Sequence, residues 1–447
     1  MFRKHKQILL LLAMFLGGTL LSEAQEPVKI SLNDALKMAL QNNTNILNSD
    51  LDLQIAQKKV WETISTGLPH IDAKAAYSFY PKVPTLPASF VDPKADPGAT
   101  ISLMPKQNVV GDITVSQLIF SGSYIVGLQA TKVYYGLTKQ NHEKTKLDVI
   151  ETVINTYHML QLAEESRKIL NQNLDNINKT LYEITEMNKQ GFLEKTDVDQ
   201  LEVTANTIRN AMNQIDSNLD MGYRLLKIQL GMEDITKIEL TDQMESGESL
   251  TKSSTLLIAE QFNIDNNIDY QLIQTSEKAA ELDLKLAKSS YLPTLNGFYN
   301  HTEKLKAPLL DFQPKDLIGV NLSIPVFSSG QRSSIVAQRR MSVEKAQNTQ
   351  KYVSNSLLMQ ASQYQNDVKL KLEKYMNQKK SKELSDDIYQ RTLEKYKQGM
   401  ASSMDLMTSQ NQYLTNMTNY YQAIYDLQGS KSKLEKLFNI NQNTDIK

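Results

Sequence analysis

Proline constrains this chain most, through the places where it is missing. The 447 residues hold 12 prolines; none lies in 106–292 or 326–447, whereas six crowd into 81–105. A proline inside a helix removes a hydrogen bond and costs roughly 3 kcal/mol. The two proline-free stretches therefore permit uncommonly long helices, and the crowded stretch forbids one. Long rods with two irregular interruptions are expected, and a narrow apolar seam on such rods suits a chain in which only 40% of residues are apolar. The 49 basic and 50 acidic residues give a formal charge of −1. That balance argues against nucleic acid as a partner, since phosphate binding needs a basic surplus. No cysteine occurs, which excludes disulfides, thiol nucleophiles, thiolate metal sites and a lipid on an N-terminal cysteine.

The chain also repeats itself. Lys189-Gln190-Gly191-Phe192-Leu193-Glu194-Lys195-Thr196-Asp197-Val198 has a counterpart 208 residues later in Lys397-Gln398-Gly399-Met400-Ala401-Ser402-Ser403-Met404-Asp405-Leu406. Ser121-Gly122 and Ser329-Gly330 share that offset, while Leu68-Pro69 and Leu292-Pro293 are 224 apart, the excess being the proline-rich stretch. Each copy reads as an opening helix of about 35 residues, Leu-Pro, two alternating segments around a loop, Ser-Gly, a very long helix, a glycine and another helix. Arg3, Lys4 and Lys6 before the apolar run Ile8 to Leu16, with Ser22-Glu23-Ala24 after it, predict a cleavable signal peptide over 1–24. The first repeat then covers 25–240, a linker in a belt around the rods 241–261, and the second repeat 262–447.

Spacing assigns the elements. Val198, Leu201, Ala205, Ile208, Met212, Ile215 and Leu219 recur three and four apart, as do Leu170, Leu174, Ile177, Leu181 and Ile184. That is the seam of helices packed as coiled coils. The run from Ser123 to Gln190, helical throughout, would be roughly 100 Å long. Four segments alternate instead, at about 71–80, 109–120, 294–303 and 316–326. In the second, Val109, Ile113, Val115 and Ile119 oppose Asp112, Thr114 and Ser116; in the fourth, Ile318, Val320, Leu322 and Ile324 oppose Gly319, Asn321 and Ser323. Their lengths suit tilted transmembrane strands, and Phe79, Tyr80, Phe120, Tyr291, Phe298 and Phe327 near their ends suit interfacial belts. After the signal peptide no apolar run is long enough for a spanning helix, so a membrane location requires a β-barrel. Four strands cannot close one. Eight would leave an interior filled by side chains and twelve an open lumen, so a channel requires at least a trimer. Segments 81–108 and 304–316 then become extracellular loops.

His70, His142, His158 and His301 are scattered, no HExxH, GxSxG or P-loop occurs, and no isolated carboxylate pair suggests acid–base work. No enzyme, catalytic residue, metal or cofactor is expected. A secreted structural coiled-coil protein would account for the signal peptide and the rods, but not for four alternating strands or the repeat.

Ser31-Leu32-Asn33-Asp34-Ala35-Leu36-Lys37-Met38-Ala39-Leu40-Gln41-Asn42-Asn43, Ser116-Gln117-Leu118-Ile119-Phe120-Ser121-Gly122, Leu230-Gly231, Leu292-Pro293 and Pro325-Val326-Phe327-Ser328-Ser329-Gly330 stand in a telling order. Over its mature length the chain resembles the TolC-like outer membrane factors, the outer membrane efflux protein family. The resemblance implies a mixed α/β membrane protein: a homotrimer whose twelve-stranded β-barrel, four strands per chain, continues as an α-helical coiled-coil barrel across the periplasm of a Gram-negative bacterium. It implies a passive exit duct of a tripartite export system for small molecules such as drugs, with outer membrane lipid around it. Its partners would be a periplasmic adaptor (membrane fusion protein) and an inner-membrane RND, ABC or MFS pump; the alternative cargo is protein, through a type I secretion duct. By resemblance, Gly191, Phe192, Leu193, Gly399, Met400 and Ala401 form the tips offered to the adaptor. Asp405 lines the closed aperture, and Asp197 and Tyr396 hold neighbouring helices shut. The chain departs from the family at Ala401, where an aperture-locking arginine often stands, and at Thr408, where a second acidic residue is found.

Overall fold

The computed structural model describes residues 27–440 except 235, 307, 309 and 310, so the signal peptide expected at 1–24 lies outside the described residues. In chain order the elements are β1 (Val28–Ile30), α1 (Leu32–Asn42), α2 (Thr44–Ser65), β2 (His70–Phe79), β3 (Thr85–Pro87), β4 (Thr100–Ser102), β5 (Gln107–Ser121), α3 (Gly122–Lys189), α4 (Lys195–Leu230) and β6 (Ile238–Leu240). There follow α5 (Glu248–Ala259), α6 (Ile268–Ser289), β7 (Thr294–Lys304), β8 (Asp316–Ser323), α7 (Gln331–Lys397) and α8 (Ser403–Phe438). The long helices α3 and α7 have 68 and 67 residues, and α4 and α8 have 36 each. Residues divide between two compact units, one of Met1–Leu47, Thr145–Phe262 and Gln360–Lys447, the other of Asn48–Lys144 and Asn263–Met359.

In the first unit, β1 and β6 pair in parallel, Ile30 opposite Leu240. The chain enters α1 through a capping box in which the Ser31 hydroxyl accepts from the Asp34 N–H and the Asp34 carboxylate accepts from the Ser31 N–H. Ala35, Leu36 and Ala39 then bury against Val149, Ile150, Val153, Tyr157 and Leu160 of α3 and Leu226 and Leu230 of α4. The opening helix expected to run for about 35 residues is broken at Asn43. This residue is extended, its side chain donating to the Gln229 carbonyl at 2.8 Å and accepting from the Asn45 N–H at 2.9 Å. In the second half the corresponding helix α6 has 22 residues, opened by Asn267 as its cap. The expected linker 241–261 contains α5. The Gly247 N–H before it donates to the Tyr375 hydroxyl at 2.7 Å, and Gln365 donates to the Glu260 carbonyl after it at 2.9 Å.

The second unit holds a four-stranded antiparallel sheet in the order β2-β5-β7-β8, with β2 and β8 at its edges. Register fixes two faces. Ala73, Ile113 and His301 are aligned across one face, as are Ile71, Val115, Tyr299 and Ile318. On the other, Asp112 accepts from the Thr302 hydroxyl at 2.6 Å and Asn300 donates to the Thr114 hydroxyl at 2.8 Å. A bulge between Leu118 and Phe120 brings Phe120 opposite Leu295. Two expectations need correction. The last strand stops at Ser323 rather than 326, because Pro325 has no N–H for the ladder. Phe298 does not join an aromatic belt on the apolar face: it is paired to Gly319 across the strands on the polar face, where a Cβ on Gly319 would meet its ring at 2.6 Å. The short pair β3 and β4 lies inside the proline-rich segment.

Candidate aperture at the helix tips

The α3–α4 and α7–α8 turns close in the same way. Gly191 has φ +81°; its N–H donates to the Asn188 carbonyl at 2.9 Å, and the Phe192 N–H donates to the Met187 carbonyl at 3.0 Å. Gly399 has φ +73°, with the matching bonds from its own N–H to Tyr396 at 2.9 Å and from Met400 to Lys395 at 2.8 Å. This crossed pair is a Schellman closure, which needs a left-handed residue and so favours glycine. It leaves the residues just past each glycine outside the helices. Phe192 and Met400 are 72% and 66% exposed. Leu193 instead packs under its turn against Ile177, Ile184, Leu201, Ala205 and Ile208, while Ala401 is half-buried. These five buried residues belong to the seam read from the three-and-four spacing, and Leu170, Leu174, Leu181, Val198 and Met212 flank them.

The three aperture candidates sit in different surroundings. Asp405 is fully exposed in the first turn of α8 and forms a capping box with Ser402. Its carboxylate accepts from the Ser402 hydroxyl at 2.7 Å and the Ser402 N–H at 3.1 Å, and these two bonds hold its carboxyl below the usual aspartate range. A negative charge there also suits the positive end of the helix. Asp197, half-buried in the first turn of α4, accepts from the Ser403 hydroxyl at 2.5 Å, so one hydrogen bond ties the start of α4 to the start of α8. The Tyr396 hydroxyl is buried with no partner among the described residues. Burial, and then the charges of Asp197 and Glu183, raise its pKa. The geometry thus couples Asp197 to Ser403 and leaves Tyr396 near Asp197 without a hydrogen bond.

Thr408 turns its hydroxyl back to the Met404 carbonyl at 2.8 Å. Sequence reasoning missed Ser402 and Ser403. The first was readable as the cap of a Ser-x-x-Asp box; the second depends on a contact between helices 206 residues apart and carries no local signal. Among the described residues no three His, Asp or Glu side chains are grouped to hold a metal ion.

Comparison with known proteins agrees with this architecture. Residues 264–439 match the sequence model of a family described as outer membrane efflux protein. The outer membrane protein TolC of Vibrio cholerae serotype O1 is 20% identical over 80% of this chain and 79% of its own length. Among solved structures, CusC superposes with a TM-score of 0.73 at 13% identity, covering 91% of both chains. The outer membrane protein VceC of Vibrio cholerae gives 0.72 at 13% identity, covering 91% of this chain and 95% of its own. The helix pairs with matched tips and the four-stranded sheet are thus similar to those of the TolC-like outer membrane channels, and residues 264–439 carry the sequence pattern of the outer membrane efflux proteins.

Proposed function

We propose that three copies of the chain close a twelve-stranded barrel in the outer membrane and form the passive exit duct of a tripartite export system. One observation carries this reading: the sheet ends in two open edges, β2 and β8, and exposes Ile71, Tyr77, Ile113, Ile318, Val320 and Leu322 while Asp112 pairs with Thr302 and Thr114 with Asn300 on the opposite face. An open edge with an apolar face is a liability in water. In a bilayer, edge-to-edge closure satisfies the backbone, the apolar face meets lipid, and the polar face lines a lumen that twelve strands leave open. The two related halves would continue the barrel as a helical tunnel. Detergent extraction and native mass measurement test the closure: a particle of three chains supports it, and a water-soluble monomer refutes it.

At the tips, three copies of Asp405 would form a carboxylate ring, which favours cations and repels itself unless hydrated or occupied. Asp197 and Tyr396 would govern its opening. Gly191, Phe192 and Leu193 with Gly399, Met400 and Ala401 would face a periplasmic adaptor linked to an inner-membrane pump; the exposed Phe192 and Met400 are the natural anchors for such a partner. The cargo would be small molecules such as drugs.

A further inference from the structure

The four passages between sheet and helices lie at one end of the sheet, because the register places His70 opposite Ser116, Ser121 opposite Thr294, and Thr294 opposite Ser323. At that end β8 gives way to an extended stretch in which Val326 and Phe327 are 91% and 86% exposed. α7 starts four residues after Phe327 and carries Arg332, Arg339 and Arg340 within its first ten residues. Every other arginine of the described residues reaches a polar partner: Arg167 bonds Asp216, Arg209 bonds Asn206, Arg224 bonds Asp220 and Asp234, and Arg391 bonds Asp387. Arg332, Arg339 and Arg340 have no such partner among the described residues, although Arg339 and Arg340 are exposed and free to find one.

Two of these three charges, Arg332 and Arg339, belong to the second half of the chain alone. Counting back 208 residues, Arg332, Arg339 and Arg340 correspond to Tyr124, Thr131 and Lys132 of α3. A charge required by the helical wall in general would stand in both copies, as at Lys132 and Arg340, whereas Arg332 and Arg339 stand in one. Exposed apolar side chains followed at once by unpaired guanidinium groups form instead the sequence of a membrane boundary, where apolar atoms enter the acyl region and long cationic side chains reach phosphates. Arg339 lies roughly 12 Å along the helix from its start. Helical side chains lean toward the N-terminus, here toward the sheet, and the positive helix end adds to the attraction. Arg332 and Arg339 are seven residues apart and share a face.

We infer that the first turns of α7 dock on the headgroups of anionic phospholipid in the leaflet nearer the helices. Val326 and Phe327 enter the acyl boundary, and Arg332, Arg339 and Arg340 grip phosphate oxygens through their planar forks. This rests on the sheet spanning a bilayer.

The test uses the full-length protein reconstituted in vesicles of phosphatidylethanolamine, with or without phosphatidylglycerol. Conductance in phosphatidylethanolamine alone establishes insertion, so its absence counts against the membrane-spanning reading itself. Phosphatidylglycerol should then raise the temperature at which the assembly dissociates, and equimolar inorganic phosphate should not. The combined Arg332→Gln, Arg339→Gln and Arg340→Gln variant should lose that shift and retain phosphatidylglycerol through detergent washing roughly five-fold less per arginine removed. The corresponding Lys variant, which keeps charge and loses the fork, should fall between. A Gln variant that keeps the full lipid response overturns the inference. So does one that dissociates at a lower temperature than the unaltered protein already in phosphatidylethanolamine alone, which would place the arginines on a neighbouring copy, or one that alters only ion selectivity, which would place them on the lumen.

Discussion

Asp405 and Asp197 occupy equivalent places in the two tips and spend their carboxylates differently. The Asp405 carboxylate caps its own helix through Ser402, whereas Asp197 takes a hydroxyl from the facing helix. Because the folded pKa of Asp405 is lowered, its contribution is complete above the ordinary aspartate value of about 3.9 and is lost as pH falls through the lowered value. Amide exchange at Asp405 and Leu406 should therefore accelerate only in acid, and Asp405→Asn should remove that pH dependence. In planar bilayers, Asp405→Ala should weaken block by divalent cations; unchanged block would remove Asp405 from the aperture. Ser403→Ala takes a hydrogen bond from a half-buried carboxylate and should cost about 1.5–3 kcal/mol in unfolding measurements. Tyr396→Phe removes a buried hydroxyl that has no partner, so stability should hold or rise by up to about 1 kcal/mol, while conductance should change if that hydroxyl closes the gate with a neighbouring helix. The equivalent placement of Asp197 and Asp405 in the two tips was legible because the repeat aligns them. Ser403 was not, because nothing in a linear pattern says which hydroxyl faces a carboxylate on the other hairpin.

Among the elements, the α3–α4 seam is the one the sequence states most clearly. Ile177, Ile184, Leu201, Ala205 and Ile208 are buried where the three-and-four spacing puts them, since a helix turns its apolar stripe to whatever covers it. Ile184→Ala should destabilise by about 2–5 kcal/mol through the cavity it leaves, and hydrogen exchange should show the loss concentrated between the seam and the Gly191 turn. A change spread evenly over the unit would contradict a local seam. Elsewhere the elements were harder to read. The three-residue strands β1 and β6 are too short to carry a period. The break at Asn43 follows from a side chain reaching Gln229 far along the chain, and α5 lies in a stretch whose Ser, Thr and Glu content reads as linker. The strands of the sheet were legible as alternation, but not the side on which Phe298 falls, because both faces carry aromatic residues.

For the whole molecule, the prolines and the repeat were the readable features. Proline-free stretches became α3–α4 and α7–α8, and the proline-rich segment became the irregular connection between β2 and β5. What one chain leaves open is the sheet, with two free edges and an apolar face; the proposal is that further copies in a bilayer complete it. The measurement that tests this most directly is the conductance of the purified full-length protein in a planar bilayer. The account predicts uniform single-channel steps from a trimeric particle, with the cation preference expected of an acidic aperture. A preparation that enters the bilayer and yields no steps, or remains a water-soluble monomer, would contradict it.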